Sequence, residues 1–152
     1  MHHRFKPEFN KIGETSPKFL FAGDFPVITR NITVQQGQKL SFGSVVGRIT
    51  TDDKYVLCSK TNTPAPTDSV PNPVSVDISD GSQEPQGILT EDVDASESDQ
   101  QAIIYLTGQF NSNCMEAGEG YETNEILNIE IADKLRKLSI FTETGVKAFP
   151  RT

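Results

Sequence analysis

A mostly β fold of the α+β kind is predicted, as one compact domain with a single C-terminal helix and an extended N-terminal arm. Three observations predict it. Short runs rich in Val, Ile, Thr and aromatic residues recur between Gly, Pro, Asn and Asp clusters, the pattern of strands and turns. Only one stretch, near residue 130, carries helical periodicity. The first 21 residues, broken by Pro7 and Pro17, hold too few apolar side chains to build a core of their own.

The expected organisation is therefore an arm over residues 1–21 and a domain over residues 22–152, with a proline-rich surface excursion at 60–86. In the arm, Arg4, Lys6, Lys11 and Lys18 outnumber Glu8 and Glu14, whereas the whole chain has a net charge of −7. Phe5, Phe9 and Ile12 stand isolated in its polar background. From Phe19 the chain becomes strand-like, first at Phe19–Ala22 and then at Val27–Val34. Gln36-Gly37-Gln38 reads as a turn before Leu40-Ser41-Phe42. Val45–Ile49 and Tyr55–Cys58 are further strands around the turn Thr51–Lys54. Gly43 and Gly47 lack the Gly-Lys-Ser/Thr ending of a phosphate loop, so a bend or a close backbone approach accounts for them better.

Residues 60–86 contain Pro64, Pro66, Pro71, Pro73 and Pro85 and offer a strand only at Val74–Ile78. Their spacing is too irregular for a polyproline ligand. The stretch Pro85–Phe110 is the structural centre: Gly87-Ile88-Leu89, a polar acidic connector, then the β-rich run Ala102–Leu106. The helix is expected over roughly Asn128–Phe141, with Asn128 as cap and Ile131, Leu135 and Leu138 as one apolar stripe. Acids early and bases late in it suit the helix dipole. Val146–Phe149 reads as a last short strand.

Composition excludes several function classes. An apolar share of 35% supports a lean core, which predicts added stability from oligomerisation or a partner. Net negative charge argues against sequence-independent nucleic-acid binding. No run is long enough to span a membrane, and no secretory signal is expected. Two cysteines, Cys58 and Cys114, make a disulfide framework implausible. The acidic connector fails as a calcium loop: with Asp92 first, the sixth position is Glu97 instead of glycine and the twelfth is Ile103 instead of glutamate. His2 and His3 are too few for a metal site and too remote to serve a cysteine nucleophile. The sequon Asn31-Ile32-Thr33 has no consequence without secretion. Neither catalytic nor metal-binding residues are assigned, and no cofactor is expected.

Beyond that point the residues resemble a family. Gly23-Asp24-Phe25-Pro26 with Ile28-Thr29, Leu40–Gly43, Val46-Gly47-Arg48-Ile49 and Lys54-Tyr55-Val56 follow the pattern of tailed-bacteriophage head decoration proteins. These are the capsid-cement proteins related to protein D of phage lambda. Gly87-Ile88-Leu89 with Glu91-Asp92-Val93-Asp94-Ala95 is the most distinctive part, followed by Gly108 and the Leu135–Ile140 helix end. The resemblance runs from Ala22 to Phe149. The Lys60–Ser82 excursion is longer than the family pattern, and Met1–Phe21 match no motif of it.

The resemblance implies a compact β-tulip-like domain and a non-enzymatic virion protein. It implies a homotrimer on the outer surface of the expanded head, assembled in the host bacterial cytoplasm, that clamps neighbouring major capsid protein subunits. It further implies that the arm, with Phe5, Phe9, Phe19 and Phe21, engages the capsid by strand addition. The alternative is a phage tail or surface module that binds a carbohydrate or host receptor. A trimeric β-rich hydrolase is a third reading, one that would lose turnover on replacement of Asp92 and Asp94.

Overall fold

The protein is described by a computed structural model over residues 20–123 and 126–143. Its strands are β1 (Ile28–Val34), β2 (Gln38–Leu40), β3 (Val45–Ile49), β4 (Lys54–Leu57), β5 (Thr61–Asn62), β6 (Val76–Asp77), β7 (Pro85–Leu89), β8 (Val93–Ala95), β9 (Gln100–Asn111), β10 (Glu122–Thr123), β11 (Ile126–Leu127) and β12 (Ile140–Glu143). Helix α1 (Ile129–Arg136) lies between β11 and β12. The β-rich expectation with one helix near the C-terminus is met.

The main sheet runs β1-β4-β3-β7-β9-β12, and β1 also pairs with β9, so five of its strands close into a ring. All five ring strands send side chains into one cluster: Ile32 and Val34, Tyr55, Val46, Leu89, Ala102 and Ile104. That cluster is the ring interior. Alternation along β1 and β9 follows from the pleat, since successive side chains point to opposite faces.

β3 and β7 are buried on both faces. Val46 and Leu89 look inward, while their neighbours Val45 and Ile88 join a second cluster with Ile131 and Leu135 of α1 and Ile140 of β12. A helix covering one side of the ring explains why these strands read as continuous apolar runs instead of alternating ones. The β1–β9 register slips between Ile28 and Thr29, whose partners are Thr107 and Tyr105. The slip leaves Leu106 opposite no β1 residue. Past it, Phe110 falls on the helix side, although Ala102 and Ile104 face the interior.

Four expectations need correction. The acidic connector is not simply a loop: β8 within it pairs antiparallel with β2, burying Val93 and Ala95 and leaving Asp94 outside. The helix stops at Arg136, short of Phe141. Ser139 takes a left-handed φ of 64°, and Ile140–Glu143 turn back as a strand parallel to β9. Leu138 therefore lies beyond the helix and is exposed, while Ile131 and Leu135 are buried as expected. Of the strand expected at Phe19–Ala22, the described residues Leu20–Ala22 contribute only a bridge, Phe21 with Phe110, and the Val74–Ile78 strand shrinks to β6. The Val146–Phe149 strand lies outside the described residues.

The glycine expectation is met by close approach. A Cβ on Gly43 would sit 2.1 Å from the Cys114 carbonyl oxygen, and one on Gly47 would sit 1.9 Å from that of Ser82. Both positions therefore lock an outer segment onto β3 and its approach.

Candidate partner-binding surface

The described part of the expected arm is already seated on the sheet. Asn111 N–H donates to the Leu20 carbonyl (2.6 Å) and Ala22 N–H to that of Gln109 (2.9 Å), so Leu20–Ala22 run antiparallel to the end of β9. Leu20 is buried in the helix-side cluster. The Phe21 ring lies 5.1 Å from Tyr105 and 5.4 Å from Phe110, yet keeps 44% of its surface exposed. Of the four phenylalanines expected to contact the capsid, only Phe21 is among the described residues; Phe5, Phe9 and Phe19 lie outside them.

Shortly after Phe21 in the chain stand exposed residues that sequence reading places in the family's entry motif or in a strand, and not at a binding surface. Phe25 is exposed with its ring 4.9 Å from that of Phe141 on β12, and Val27 and Ile28 are exposed as well. Large apolar side chains are thus exposed at several positions from Phe21 to Ile28, just after the arm root. The signal was the density of large apolar residues in Phe19–Ile28. Most of those residues were assigned to strands, and strands with one face on a core do not predict this much exposure.

The excursion is ordered by one carboxylate. Glu119 accepts from Thr61 Oγ1 (2.9 Å), Thr63 Oγ1 (2.7 Å), Thr63 N–H (3.1 Å) and the Ser75 hydroxyl, tying both β5 and the approach to β6. Its pKa is drawn down to about 2 by those hydroxyls, Ser75 first, then Thr63 and Thr61. Lys60 reaches Glu130 at the helix start (2.8 Å), and Lys134 bonds Glu84 (2.7 Å) and the Tyr121 hydroxyl (3.0 Å). Val70, Val74 and Val76 are left exposed on the excursion. The tie made by Glu119 was missed because a Gly-Glu-Gly turn carries no mark of its distant partners.

The acidic residues around β8 serve as local ties. Asp92 accepts from Phe42 N–H (2.8 Å), Asp94 caps Ser96, and Asp99 accepts from Gln36 N–H (2.8 Å) and pairs with Lys54 (2.8 Å). The Lys54 ammonium, with the Gln36 amide, holds Asp99 below its ordinary value. Among the described residues no group of three or more His, Cys, Asp and Glu is placed to hold a metal. Burial pushes the Cys58 thiol up to about 12, which keeps it protonated and a poor nucleophile. What the surface offers is contact area and backbone at the arm root, with no convergent catalytic groups described there.

The family model for bacteriophage lambda head decoration protein D matches residues 11–134. The chain belongs to that family. The match begins inside the expected arm, eleven residues before Ala22, and ends within α1, short of the Leu135–Ile140 segment and of Phe149. It also spans residues 60–86. Membership makes this a structural protein of the phage head that binds the capsid, and places it in the virion. No curated protein matches the sequence. Among the described residues no helix is long and apolar enough to cross a membrane.

Proposed function

We propose that this protein decorates the outer surface of the expanded phage head as a homotrimer and clamps adjoining major capsid protein subunits. The observation that carries the proposal is the family match, which covers the domain as far as α1 and reaches into the arm. The arm, through Phe5, Phe9, Phe19 and Phe21, adds a strand to an extended capsid element. Backbone hydrogen bonds then supply the hold, and alternate side chains select the partner. The extended pairing of Leu20–Ala22 with β9 supports this, because the chain upstream is handed off from a backbone already in strand geometry. Three arms on one trimer make the later attachments intramolecular, so modest single contacts add to a durable clamp.

A bound protein stabilises a lattice only by binding it in preference to its alternative. Co-sedimentation with purified heads tests this: the full chain pellets with expanded heads and stays in solution with unexpanded ones. Equal binding to both states overturns the clamp. Assembly on the head after synthesis in the host cytoplasm further predicts a copy number per virion comparable to the major capsid protein.

A further inference from the structure

The turn that ends the excursion, just before β7, holds the chain's single Asp-Gly pair, Asp80-Gly81. Such a pair is prone to isomerise, because glycine puts no side chain in the way when its backbone nitrogen approaches the aspartyl Cγ. In that reaction the Gly81 nitrogen bonds to Cγ of Asp80, and the amide proton leaves with a carboxyl oxygen as water. The cyclic imide then takes water back. Opening at the Asp80 backbone carbonyl breaks its bond to the Gly81 nitrogen and leaves the chain running through Cγ, an isoaspartyl link of unchanged mass. Water is the sole co-reactant.

Asp80 is exposed, so exclusion of solvent is not what protects it. The groups that must move are held instead. Gly81 N–H donates to Gln83 Oε1 (2.9 Å). Asp80 Oδ1 accepts from the Ser82 N–H (2.9 Å) and hydroxyl (2.6 Å), which draws the carboxylate forward past Gly81. The Asp80 carbonyl accepts from Thr50 N–H (2.9 Å), and this fixes the plane of the peptide whose nitrogen has to turn. Beyond it, Gly81 has a left-handed φ of +102°, and its carbonyl accepts from Glu84 N–H (3.1 Å). The Gln83 carbonyl in turn accepts from the Tyr121 hydroxyl (2.9 Å) and the Cys58 thiol (3.5 Å), both in the helix-side cluster. The residue that engages the Gly81 N–H is thereby anchored to the core.

We propose that Asp80 is a latent isomerisation site, kept unreactive by the native turn and converted only when the end of the excursion opens. Conversion is then one-way. An isoaspartyl link inserts one more carbon into the backbone, so the Thr50 and Ser82 donors lose their acceptors in register. Ser82, buried against Gly47, cannot keep its place, and the segment is released from β3. The inference concerns the persistence of the chain itself and is independent of what the protein binds.

The test ages the full chain at neutral pH, folded in buffer or unfolded in urea. Isoaspartate at Asp80 is read by peptide chromatography with electron-transfer fragmentation, which separates it from aspartate. The folded chain converts at least about tenfold more slowly, because only the opened fraction reacts. Gln83→Ala removes the acceptor of the Gly81 N–H and speeds conversion in the folded chain several-fold. Asp68-Ser69, exposed elsewhere in the excursion, ages at its wild-type rate in that variant and is the internal reference. Equal rates in buffer and urea overturn the inference, as does the absence of isoaspartate at Asp80 in urea. A Gln83→Ala chain that speeds Asp68 and Asp80 alike reports general loosening and overturns the role of the turn. Where that variant does not fold, the comparison of buffer with urea on the wild type decides alone.

Discussion

Replacing Gly47 by alanine tests how the excursion is fixed to the ring. Gly47 sits in β3, fully buried, and a Cβ there would lie 1.9, 2.6 and 2.9 Å from the backbone O, C and Cα of Ser82. No rotamer relieves a clash between Cβ and backbone, so the Ser82 segment must move by more than an ångström. Ser82 is itself held: its N–H (2.9 Å) and hydroxyl (2.6 Å) donate to Asp80, whose carbonyl accepts from Thr50 N–H (2.9 Å). Overpacking costs about 1–3 kcal/mol, and one or two lost hydrogen bonds add about 0.5–1.5 kcal/mol each. The expected destabilisation is therefore roughly 2–5 kcal/mol, a fall in melting temperature of roughly 4–20 °C for a domain of this size. Denaturant unfolding measures the first and a thermal scan the second. Gly37→Ala is the control, since nothing lies within 4 Å of that position and only its φ of +94° resists a side chain. A Gly47→Ala loss below about 0.5 kcal/mol, or one smaller than that of Gly37→Ala, refutes the close approach.

Leu135→Ala, at a fully buried position of α1, destabilises by about 2–5 kcal/mol in urea unfolding. Asn128→Ala removes the cap that accepts from Glu130 N–H (2.7 Å) and costs about 1 kcal/mol in the same assay. Glu119→Gln loosens the excursion, read as faster amide exchange over residues 61–78 with little change in the ring strands. Because the folded pKa of Glu119 is depressed from 4.5 to about 2, its contribution is complete above the unfolded value and is lost as pH falls through the folded one. Acidification of the wild type toward pH 2 therefore reproduces the mutant's exchange pattern. Deletion of residues 1–19 leaves the melting temperature within a few degrees of wild type and abolishes pelleting with expanded heads.

Residues whose partners are determined by burial were the legible ones. Ile32 and Val34 of β1 and Val45 and Val46 of β3 are β-branched and pack as their composition demands. Ile131 and Leu135 find the core because their spacing places both on one helix face. Reading failed where a distant partner decides. Val93 and Ala95 alternate with Asp92, Asp94 and Ser96 as a half-buried strand should, but without β2 in view the acids dominate the segment. The helix period continues past Arg136 in the sequence. Ile140 gains more by lying against Gly108 in the sheet, and Ser139 accepts a left-handed φ to allow it. Ring closure depends on β1 meeting β9 some seventy residues later, which no local pattern encodes. At the surface, Phe21 was marked as a capsid contact of the arm, while Phe25 and Ile28 were read as part of the family's entry motif and not as exposed surface.

The seating of Leu20–Ala22 on β9 bears on how the proposed clamp would withstand load. Tension on the arm from a partner beyond Asn111 acts along the strand axis, because Leu20–Ala22 run antiparallel to β9 and enter from that end. Hydrogen bonds at Asn111 and Gln109 are then loaded together in shear instead of opening one after another. Buried Leu20 and the Phe21 contacts with Tyr105 and Phe110 must also slide before the root can leave. β9 passes the load on through β1, β7 and β12, so the ring resists it as a unit. If the arm carries the proposed partner contacts, attachment beside the last residue of the longest strand couples them to the most extensively paired element described.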